Sequence, residues 1–241
     1  MGTRQKGVFK VCIAILKPKE SKIKTETLRE CWESNPHGAG FMYAKNNRVI
    51  VRKELKNFER FLKEYRKHEQ IGGKMVIHFR IMTHGKLDYK NTHPHRVNNN
   101  TWLVHNGVIS QHSYKNAKLS DTVKFCKMLA GLPVDFMQSK PTLKLIGGYI
   151  DTDKIILMDT SGKTRIINED QGIWDGGIWY SNQSYEPINY AQYGNNRNWF
   201  DIRDDYIIDD CLLCQNSLQA NEIQNGVCKH CNTRNDSRVC S

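Results

Sequence analysis

Four short patterns in this 241-residue chain contain residue types that could act at an amide carbonyl. In chain order they are CIAI at 12–15, HFRIMTHG at 78–85, HNG at 105–107 and SDT at 120–122. Taken alone, each has a structural explanation: a buried cysteine, a charge at a strand edge, a tight turn and a helix cap. Their occurrence together in one chain is what indicates a site that reacts with an amide carbonyl.

The Asn106-Gly107 pair has two interpretations. It separates the apolar runs TWLVH and VIS, and both residues tolerate the positive φ of a tight turn, so this stretch alone favours a two-residue hairpin. In the alternative, the Asn amide and the Gly N–H both donate to the oxygen of a reacting carbonyl.

Hydrolysis of the side-chain amide of free glutamine needs a nucleophile, a base, an oxyanion hole and groups that bind the two charged ends of the amino acid. A thiol can attack, an N-terminal amine can act as base, and an Asn amide with a Gly N–H can stabilise the oxyanion. Arginine can bond both oxygens of a carboxylate, and aspartate can pair with an ammonium group. Cys12, Arg80, Asn106-Gly107 and Asp121 are of these types.

These patterns resemble those of the class II glutamine amidotransferases, a group of N-terminal-nucleophile (Ntn) hydrolases, and most closely the short stand-alone members of bacteriophage genomes. Such relatives begin with Cys-x-Ala-Ile and continue with a Trp and Asn-Pro-x-Gly-Ala-Gly-Phe, which here read CIAI and WESNPHGAGFMY. The resemblance extends over about residues 12–185. Larger members carry Arg-Gly-x-x-x-x-Gly where this chain has NPHGAG, so a role for that Arg is not inherited.

The resemblance implies a reaction and a set of site residues. L-Glutamine and water would give glutamate and ammonia through a γ-glutamyl thioester on Cys12, whose freed α-amine would be the base. Asn106 and Gly107 would form the oxyanion hole. Arg80 would bind the carboxylate of glutamine, Asp121 its ammonium group, and three further residues would shape the pocket. The implied substrate-binding residues are Arg80, Thr83, His84, Gly85 and Asp121.

Eleven residues precede Cys12, and a cysteine inside a chain has an amide nitrogen that cannot accept the thiol proton. Removal of the leader 1–11 would expose the amine, and so would a translation start at Val11 followed by trimming of the initiator Met. Two alternatives remain open. One is a catalytically inactive Ntn-fold binding or adaptor protein, and the other is an Ntn amidase that acts on a different acyl amide.

The formal net charge of +11 is concentrated in residues 1–90, which hold 21 Lys/Arg against 9 Asp/Glu. A basic half can bind nucleic acid or an anionic partner, but many of these charges lie on a predicted helix face, ELKNFERFLKEYRKHEQ, so nucleic-acid binding is possible and not indicated. No apolar run is long enough to span a membrane, and the N-terminus does not resemble a signal peptide. We therefore expect a cytoplasmic protein.

Four of the eight cysteines form two Cys-x-x-Cys knuckles separated by thirteen residues. Four thiolates at this spacing can surround one Zn²⁺ tetrahedrally and leave no open position, which predicts a structural zinc ribbon. We expect no organic cofactor. Because the chain shows no phosphate-binding Gly-rich loop, either a separate synthetase or ligase partner would activate the ammonia acceptor, or glutamine hydrolysis would itself be the output. The predicted zinc ligands are Cys211, Cys214, Cys228 and Cys231.

Alternating and helical apolar patterns predict an α+β fold. Strands are expected at 8–16 and in KMVIHFRI, TWLVH and GGIWYSN. Two hairpins are also expected, one joining strands 39–44 and 48–53 through Lys45-Asn46-Asn47 and one around Ser161-Gly162. Helices are expected in LKNFERFLKEY and, capped by Ser120, in SDTVKFCKMLAGL with Val123, Cys126 and Leu129/Ala130 facing inward. By resemblance the layers are a four-layer αββα Ntn sandwich. The predicted segments are a leader 1–11, an amidotransferase domain 12–185, a linker 186–210 and a zinc ribbon 211–235.

Overall fold

The computed structural model describes residues 12–71, 73–82, 87–112 and 118–187. The chain divides into two units, Met1–Pro187 and Ile188–Ser241, and every described residue belongs to the first. Several predictions concern residues outside these ranges: the leader, the linker from residue 188 onward, the zinc ribbon and part of the glutamine pocket. The predicted site residues concerned are Thr83, His84, Gly85, Cys211, Cys214, Cys228 and Cys231.

The described part of the chain contains ten strands and four α-helices, and is therefore of the predicted mixed α+β class. The strands are β1 Ile13–Lys17, β2 Ala39–Lys45, β3 Arg48–Glu54, β4 Met75–Phe79, β5 His95–Arg96, β6 Thr101–Asn106, β7 Lys154–Asp159, β8 Thr164–Ile167, β9 Ile173–Asp175 and β10 Ile178–Tyr180. The helices are α1 Thr25–Ser34, α2 Phe58–Glu69, α3 Asp121–Leu129 and α4 Lys140–Ile150. No helix in these ranges has the length and apolar character needed to cross a membrane.

The larger sheet is antiparallel, with the strand order β3-β2-β4-β1-β10-β9. Its central pair is β4 and β1, in which Ile13 lies opposite Phe79. Cys12 directly precedes β1 and Arg80 directly follows β4. The register therefore places the candidate nucleophile and the candidate carboxylate-binding residue at the same edge of the sheet.

The smaller sheet is also antiparallel, in the order β5-β6-β7-β8. Its strand β6 ends at Asn106, which lies opposite Lys154 at the start of β7. The candidate oxyanion hole thus sits at a strand end, where the backbone N–H of the next residue is not needed for sheet pairing.

Three groups of buried apolar side chains hold these elements together. One packs α1 and α2 against the six-stranded sheet, and a second packs α3 and α4 against the four-stranded sheet. A third contains residues of both sheets. Burial of such side chains stabilises the fold by about 1.5–3 kcal/mol each. The third group comprises Ala14, Leu16, Met42, Val76, Val104, Ile156, Met158 and Trp179.

Both hairpins predicted from turn residues are present. Asn46 and Asn47 join β2 to β3 with φ of 50° and 55°, the left-handed pair that a type I′ turn requires. Gly162, with φ of 86°, lies in the turn between β7 and β8. The predicted strand at 8–16 is observed from Ile13 to Lys17, and its residues 8–11 are outside the described ranges.

The helix α3 begins after Ser120, whose side chain accepts a hydrogen bond from the Val123 N–H, so the predicted cap is confirmed. The predicted inward face is partly wrong. Cys126 and Leu129 are buried, but Val123 is only half-buried and Ala130 is exposed, whereas Phe125 is fully buried. Asp121 and Thr122, in the first turn of α3, are also buried. The buried face of the helix is therefore offset by about one residue from the predicted face.

Candidate active site

The thiol of Cys12 is held by the backbone that follows β4. Its Sγ donates to the Ile81 carbonyl at 3.2 Å, and the Ile81 N–H donates to Sγ at 3.3 Å. Burial raises the pKa of the Cys12 thiol, and the Ile81 bond and the positive charge of Arg80 oppose this effect. The thiol is therefore protonated at neutral pH, and a base must remove its proton before it can act as a nucleophile.

The carbonyl oxygen of Cys12 accepts hydrogen bonds from two side-chain amides. One is Asn106 Nδ2, at the end of β6, and the other is Asn182 Nδ2, at 2.7 Å. An amide nitrogen has two hydrogens, so Asn106 can bond the Cys12 carbonyl and still donate to a second oxygen. These contacts bring the predicted oxyanion donor next to the predicted nucleophile.

Two residues after β10 fix the first strand, and sequence analysis assigned them no role. The Ala14 N–H donates to Ser181 Oγ at 2.9 Å, and the Ser181 N–H donates back to the Ala14 carbonyl at 2.9 Å. With Asn182 on the Cys12 carbonyl, the Ser181-Asn182 pair holds the candidate nucleophile from a position 170 residues away in sequence. The signal available in the sequence was a pair of polar residues directly after the short apolar strand GGIWY.

Arg80 is 4% exposed, and its backbone is bonded on both sides by the Asn-Pro-His-Gly segment. The Arg80 N–H donates to the Gly38 carbonyl at 2.8 Å, the His37 N–H donates to the Arg80 carbonyl at 3.0 Å, and His37 Nδ1 accepts from the Met82 N–H. Gly38 has a φ of 104°, which side-chain-bearing residues rarely adopt. The Asn-Pro-His-Gly segment, residues 35–38, therefore positions Arg80. This is the segment whose sequence differs from the Arg-Gly-x-x-x-x-Gly pattern of larger class II amidotransferases.

Burial lowers the pKa of Arg80, while the Cys12 thiol and the carboxylates of Asp88 and Asp121 raise it. An arginine stays charged under such conditions. Asp88 in turn accepts from the Asn91 N–H at 2.8 Å, and the buried Asn91 Oδ1 accepts from the Ser120 N–H at 2.6 Å. The loop that carries Asp88 is thus tied to the start of α3, a connection that sequence analysis missed.

Asp121, the first residue of α3, is 7% exposed. Its Oδ2 accepts from the Ile109 N–H at 2.7 Å, and its Oδ1 accepts from the Thr122 N–H at 2.8 Å. Two backbone donors fix the carboxylate, and the Thr122 hydroxyl lies 3.4 Å from Oδ1. Oδ2 has a further lone pair that can accept from an ammonium group. The negative charge of Asp121 also raises the pKa of the Cys12 thiol, so the two groups lie close enough to interact.

The hairpin interpretation of Asn106-Gly107 is wrong. After β6 the chain does not return as a strand but continues into a 3₁₀ turn, Ser110–His112, and then towards α3. Gly107 has a φ of 141°, and a Cβ at this position would lie 1.9 Å from Asp153 Oδ1. Glycine is required here because a carboxylate occupies the space of a side chain, not because the chain reverses.

Three buried histidines lie close enough to Arg80 for its charge to affect their pKa values. His78 Nε2 donates to the His105 carbonyl at 3.0 Å, so its Nδ1 is an acceptor and receives a hydrogen bond from His93 Nδ1 at 3.2 Å. The His93 ring packs against that of His95. Burial lowers the pKa of His78 to about 3 and those of His93 and His95 well below 6.5. The three rings are neutral at pH 7 and add no positive charge beside Arg80.

The structure thus brings together Cys12, Arg80, Asn106-Gly107 and Asp121, from the ends of three strands and the start of one helix. Among the described residues, no group of three or more His, Cys, Asp or Glu side chains could hold a metal ion. Two surface cavities, of about 480 and 290 Å³, lie at α4 with β8 and at α2 with β3. Neither is lined by a predicted site residue, so the site is defined by the contacts around Cys12.

No protein-family model matches the chain. Glutamine–fructose-6-phosphate aminotransferase (isomerizing) of Buchnera aphidicola subsp. Acyrthosiphon pisum is 42% identical over 69 residues, which cover 29% of this chain and 11% of that protein. The chain therefore matches about a tenth of the length of this relative. The local identity supports the resemblance to class II glutamine amidotransferases.

A solved structure of glutamine phosphoribosylpyrophosphate amidotransferase from B. subtilis, in complex with ADP and GMP, aligns with 70% of this chain and 41% of its own. Its TM-score is 0.43 and the sequence identity is 14%.

Proposed function

We propose that this chain is a glutamine amidotransferase-type enzyme that hydrolyses L-glutamine to glutamate and ammonia once Cys12 is the N-terminal residue. The observation that carries the proposal is the convergence on Cys12 of the backbone after β4, which bonds the thiol, and the side chain that ends β6, which bonds the carbonyl. The local identity to a glutamine-dependent aminotransferase supports the same substrate.

In the proposed reaction the α-amine of Cys12 takes the thiol proton, and the thiolate attacks the side-chain carbonyl carbon of glutamine. The carbonyl oxygen becomes an oxyanion that accepts from Asn106 Nδ2 and the Gly107 N–H. The protonated amine then gives its proton to the leaving nitrogen, and ammonia departs as the γ-glutamyl thioester forms. Water, deprotonated by the same amine, attacks the thioester and releases glutamate and the free thiol.

Arg80 and Asp121 are proposed to bind the two charged ends of glutamine, which predicts weaker glutamine binding when either residue is replaced. Arg80→Lys removes the guanidinium fork, and Asp121→Asn removes the charge opposite the ammonium group. Loss of one charge-assisted contact costs about 1.5–3 kcal/mol, so each substitution is expected to raise KM for glutamine about 10- to 100-fold. The measurement is steady-state glutamate release by a chain that begins at Cys12.

The matched control for these substitutions is Asp135→Asn, at an exposed carboxylate directly before the 3₁₀ turn Phe136–Gln138 that makes no capping hydrogen bond. It should leave KM unchanged. Glutamine turnover with an unaltered KM in both Arg80→Lys and Asp121→Asn would show that the pocket has been assigned wrongly.

We also propose the finer architecture that the resemblance implies. The three buried apolar groups, two between helices and a sheet and one with members from both sheets, support a four-layer αββα Ntn sandwich for residues 12–185. In a cytoplasmic setting, a separate acceptor-activating protein would use the ammonia. If the correctly trimmed chain does not react with glutamine, the binding or adaptor alternative replaces this proposal.

For the C-terminal cysteines we propose one structural Zn²⁺ per chain, because four thiolates at this spacing can close a tetrahedral site. Metal analysis of reduced, unchelated protein is expected to give about one zinc per chain. Cys211→Ser should lose most of this zinc, whereas Cys240→Ser, at a cysteine outside the two knuckles, should retain it. A zinc-free wild-type chain, or equal loss in both variants, would contradict the proposed ligands.

A further inference from the structure

The buried His105 ring and the partly buried Asp153 carboxylate form a pair next to Asn106-Gly107, the candidate oxyanion hole. His105 Nε2 lies 3.0 Å from Asp153 Oδ2, and the side chains are 1% and 17% exposed. The other ring nitrogen, His105 Nδ1, lies 3.0 Å from Thr122 Oγ1. The ring is therefore bonded on both sides, by a carboxylate from the turn before β7 and by a hydroxyl from the first turn of α3.

The Asp153 carboxylate fixes the backbone at Gly107 by direct packing. Its Oδ1 occupies the place where a Cβ at Gly107 would lie, so the carboxylate rests against the Gly107 Cα. Asp153 is itself held by its backbone, because its N–H donates to the Ile150 carbonyl and its carbonyl accepts from Asn168 Nδ2 at 2.8 Å. The Asn106–Gly107 segment thus packs against a carboxylate whose own position is fixed.

The opposite end of the same segment is fixed from α3. The Ile109 N–H donates to Asp121 Oδ2 at 2.7 Å, and Asp121 Oδ1 accepts from the Thr122 N–H. Thr122 bonds the His105 ring through its hydroxyl. The segment from His105 to Ile109 is therefore held at both ends by a connected set of buried polar side chains.

We propose that His105 and Asp153 are positioning residues that hold the Asn106 side chain and the Gly107 N–H in the geometry that stabilises the oxyanion, an inference that rests on the proposed function. Neither side chain is required to touch glutamine. Their effect is exerted through the position of Asn106-Gly107 alone.

The physical reason is that oxyanion stabilisation depends on donors that are fixed in place before the charge develops. A displacement of about 1 Å can cost about 100-fold in rate. The Asp153 carboxylate is negative, and its field opposes an oxyanion nearby, so its benefit must be geometric. An uncharged side chain of the same shape, with an oxygen that still accepts from His105 Nε2–H, should therefore replace it.

The test compares Asp153→Ala with Asp153→Asn in chains that begin at Cys12. Asp153→Ala is expected to lower kcat about 10- to 100-fold with KM for glutamine within about threefold of wild type. Asp153→Asn should recover kcat to within about fivefold. Asp170→Ala, at an exposed aspartate, is the control and should behave as wild type. Activities are compared well below the melting temperature of each variant.

Two further measurements separate positioning from a general loss of structure. The alkylation rate of Cys12 by iodoacetamide needs neither the oxyanion hole nor the glutamine pocket, so it should be unchanged in Asp153→Ala. Thr122→Val keeps the shape of the side chain and removes the hydroxyl bonded to His105. It is expected to lower kcat about 3- to 10-fold without altering KM, and it replaces Asp153→Ala if that variant does not fold.

The outcomes distinguish this inference from the function on which it rests. If the wild-type chain hydrolyses glutamine and Asp153→Ala keeps its kcat, only the inference is wrong. If Asp153→Asn is as impaired as Asp153→Ala, the role is not one of position and the inference is again wrong. If the trimmed wild-type chain does not hydrolyse glutamine, the proposed function fails and this inference fails with it.

Discussion

A chain that begins at Cys12 is expected to hydrolyse glutamine about 10²- to 10⁴-fold faster than the same chain with residues 1–11 still attached, the range that a positioned general base contributes. The structure gives the reason. Burial raises the pKa of the Cys12 thiol, so little thiolate forms without a base. An α-amine with an ordinary pKa near 7.7–8.0 can accept the proton at neutral pH, whereas a peptide nitrogen cannot.

The experiment compares two preparations of one protein, the uncut chain and a chain in which the residues up to Val11 have been removed and confirmed as absent by intact mass. Glutamate release and covalent labelling by a diazoketone analogue of glutamine are measured on both. Among the cysteines of the described residues, labelling should occur at Cys12 and not at Cys31 or Cys126. Burial raises the pKa values of those two thiols, and neither has an α-amine of its own to take the proton.

Cys12→Ser in the trimmed chain provides the control for a contaminating glutaminase and should abolish both signals. Equal activity in the uncut and trimmed chains would refute the N-terminal-nucleophile mechanism. A trimmed chain that binds glutamine but neither releases glutamate nor reacts with the analogue would instead favour the binding or adaptor alternative.

The elements of the fold that could be predicted are those that local sequence specifies. The Asn46-Asn47 turn, the Ser120 cap and the strand pattern KMVIHFRI each depend on residues close together in the chain, and the structure contains all three. The helix α4 is not evident from its local sequence, because Gly147 and Gly148 each disfavour a helix by about 1 kcal/mol relative to Ala. Its burial of Ile146 and Ile150 against the four-stranded sheet compensates for this cost.

The candidate site also contains both kinds of feature: residues that local sequence identifies and residues that it does not. The residues proposed to contact the substrate were identifiable, because their chemical types recur in recognisable sequence patterns. Asp153, Ser181 and Asn182 were not, since their value lies in contacts across 48 to 170 residues of sequence. The Asn106-Gly107 pair shows the limit most clearly. Its local sequence favours a hairpin, and only the Asp153 carboxylate packed against Gly107 explains the glycine.

Acidification is expected to destabilise this protein steeply between pH 7 and pH 5 because of its buried histidines. The folded-state pKa values of His78, His93 and His95 lie below the ordinary value of 6.5. Above pH 6.5 these rings are neutral in both the folded and the unfolded chain, so they do not change the free energy of unfolding. Below it the unfolded chain binds protons that the folded chain excludes.

Each such histidine therefore lowers the free energy of unfolding by about 2 kcal/mol between pH 7 and pH 5, or roughly 6 kcal/mol for three. This is comparable to the whole stability of many domains, about 5–15 kcal/mol. The loss continues as pH falls and ends when the folded rings are protonated as well. Protonation of the carboxylates in ion pairs such as Arg66–Glu69 is expected to add to this loss of stability only at lower pH, where carboxylates titrate.

Urea unfolding at a series of pH values measures this effect as the number of protons taken up on unfolding, which should approach three near pH 5. His95→Gln removes one titrating ring and is expected to reduce the uptake by about one proton. Ile156→Val is the matched control. It deletes one buried methyl group and should cost about 0.5–1.5 kcal/mol at every pH, leaving the proton uptake unchanged. If wild type takes up less than one proton near pH 5, or if His95→Gln leaves that number unaltered, the three rings are not held neutral by burial.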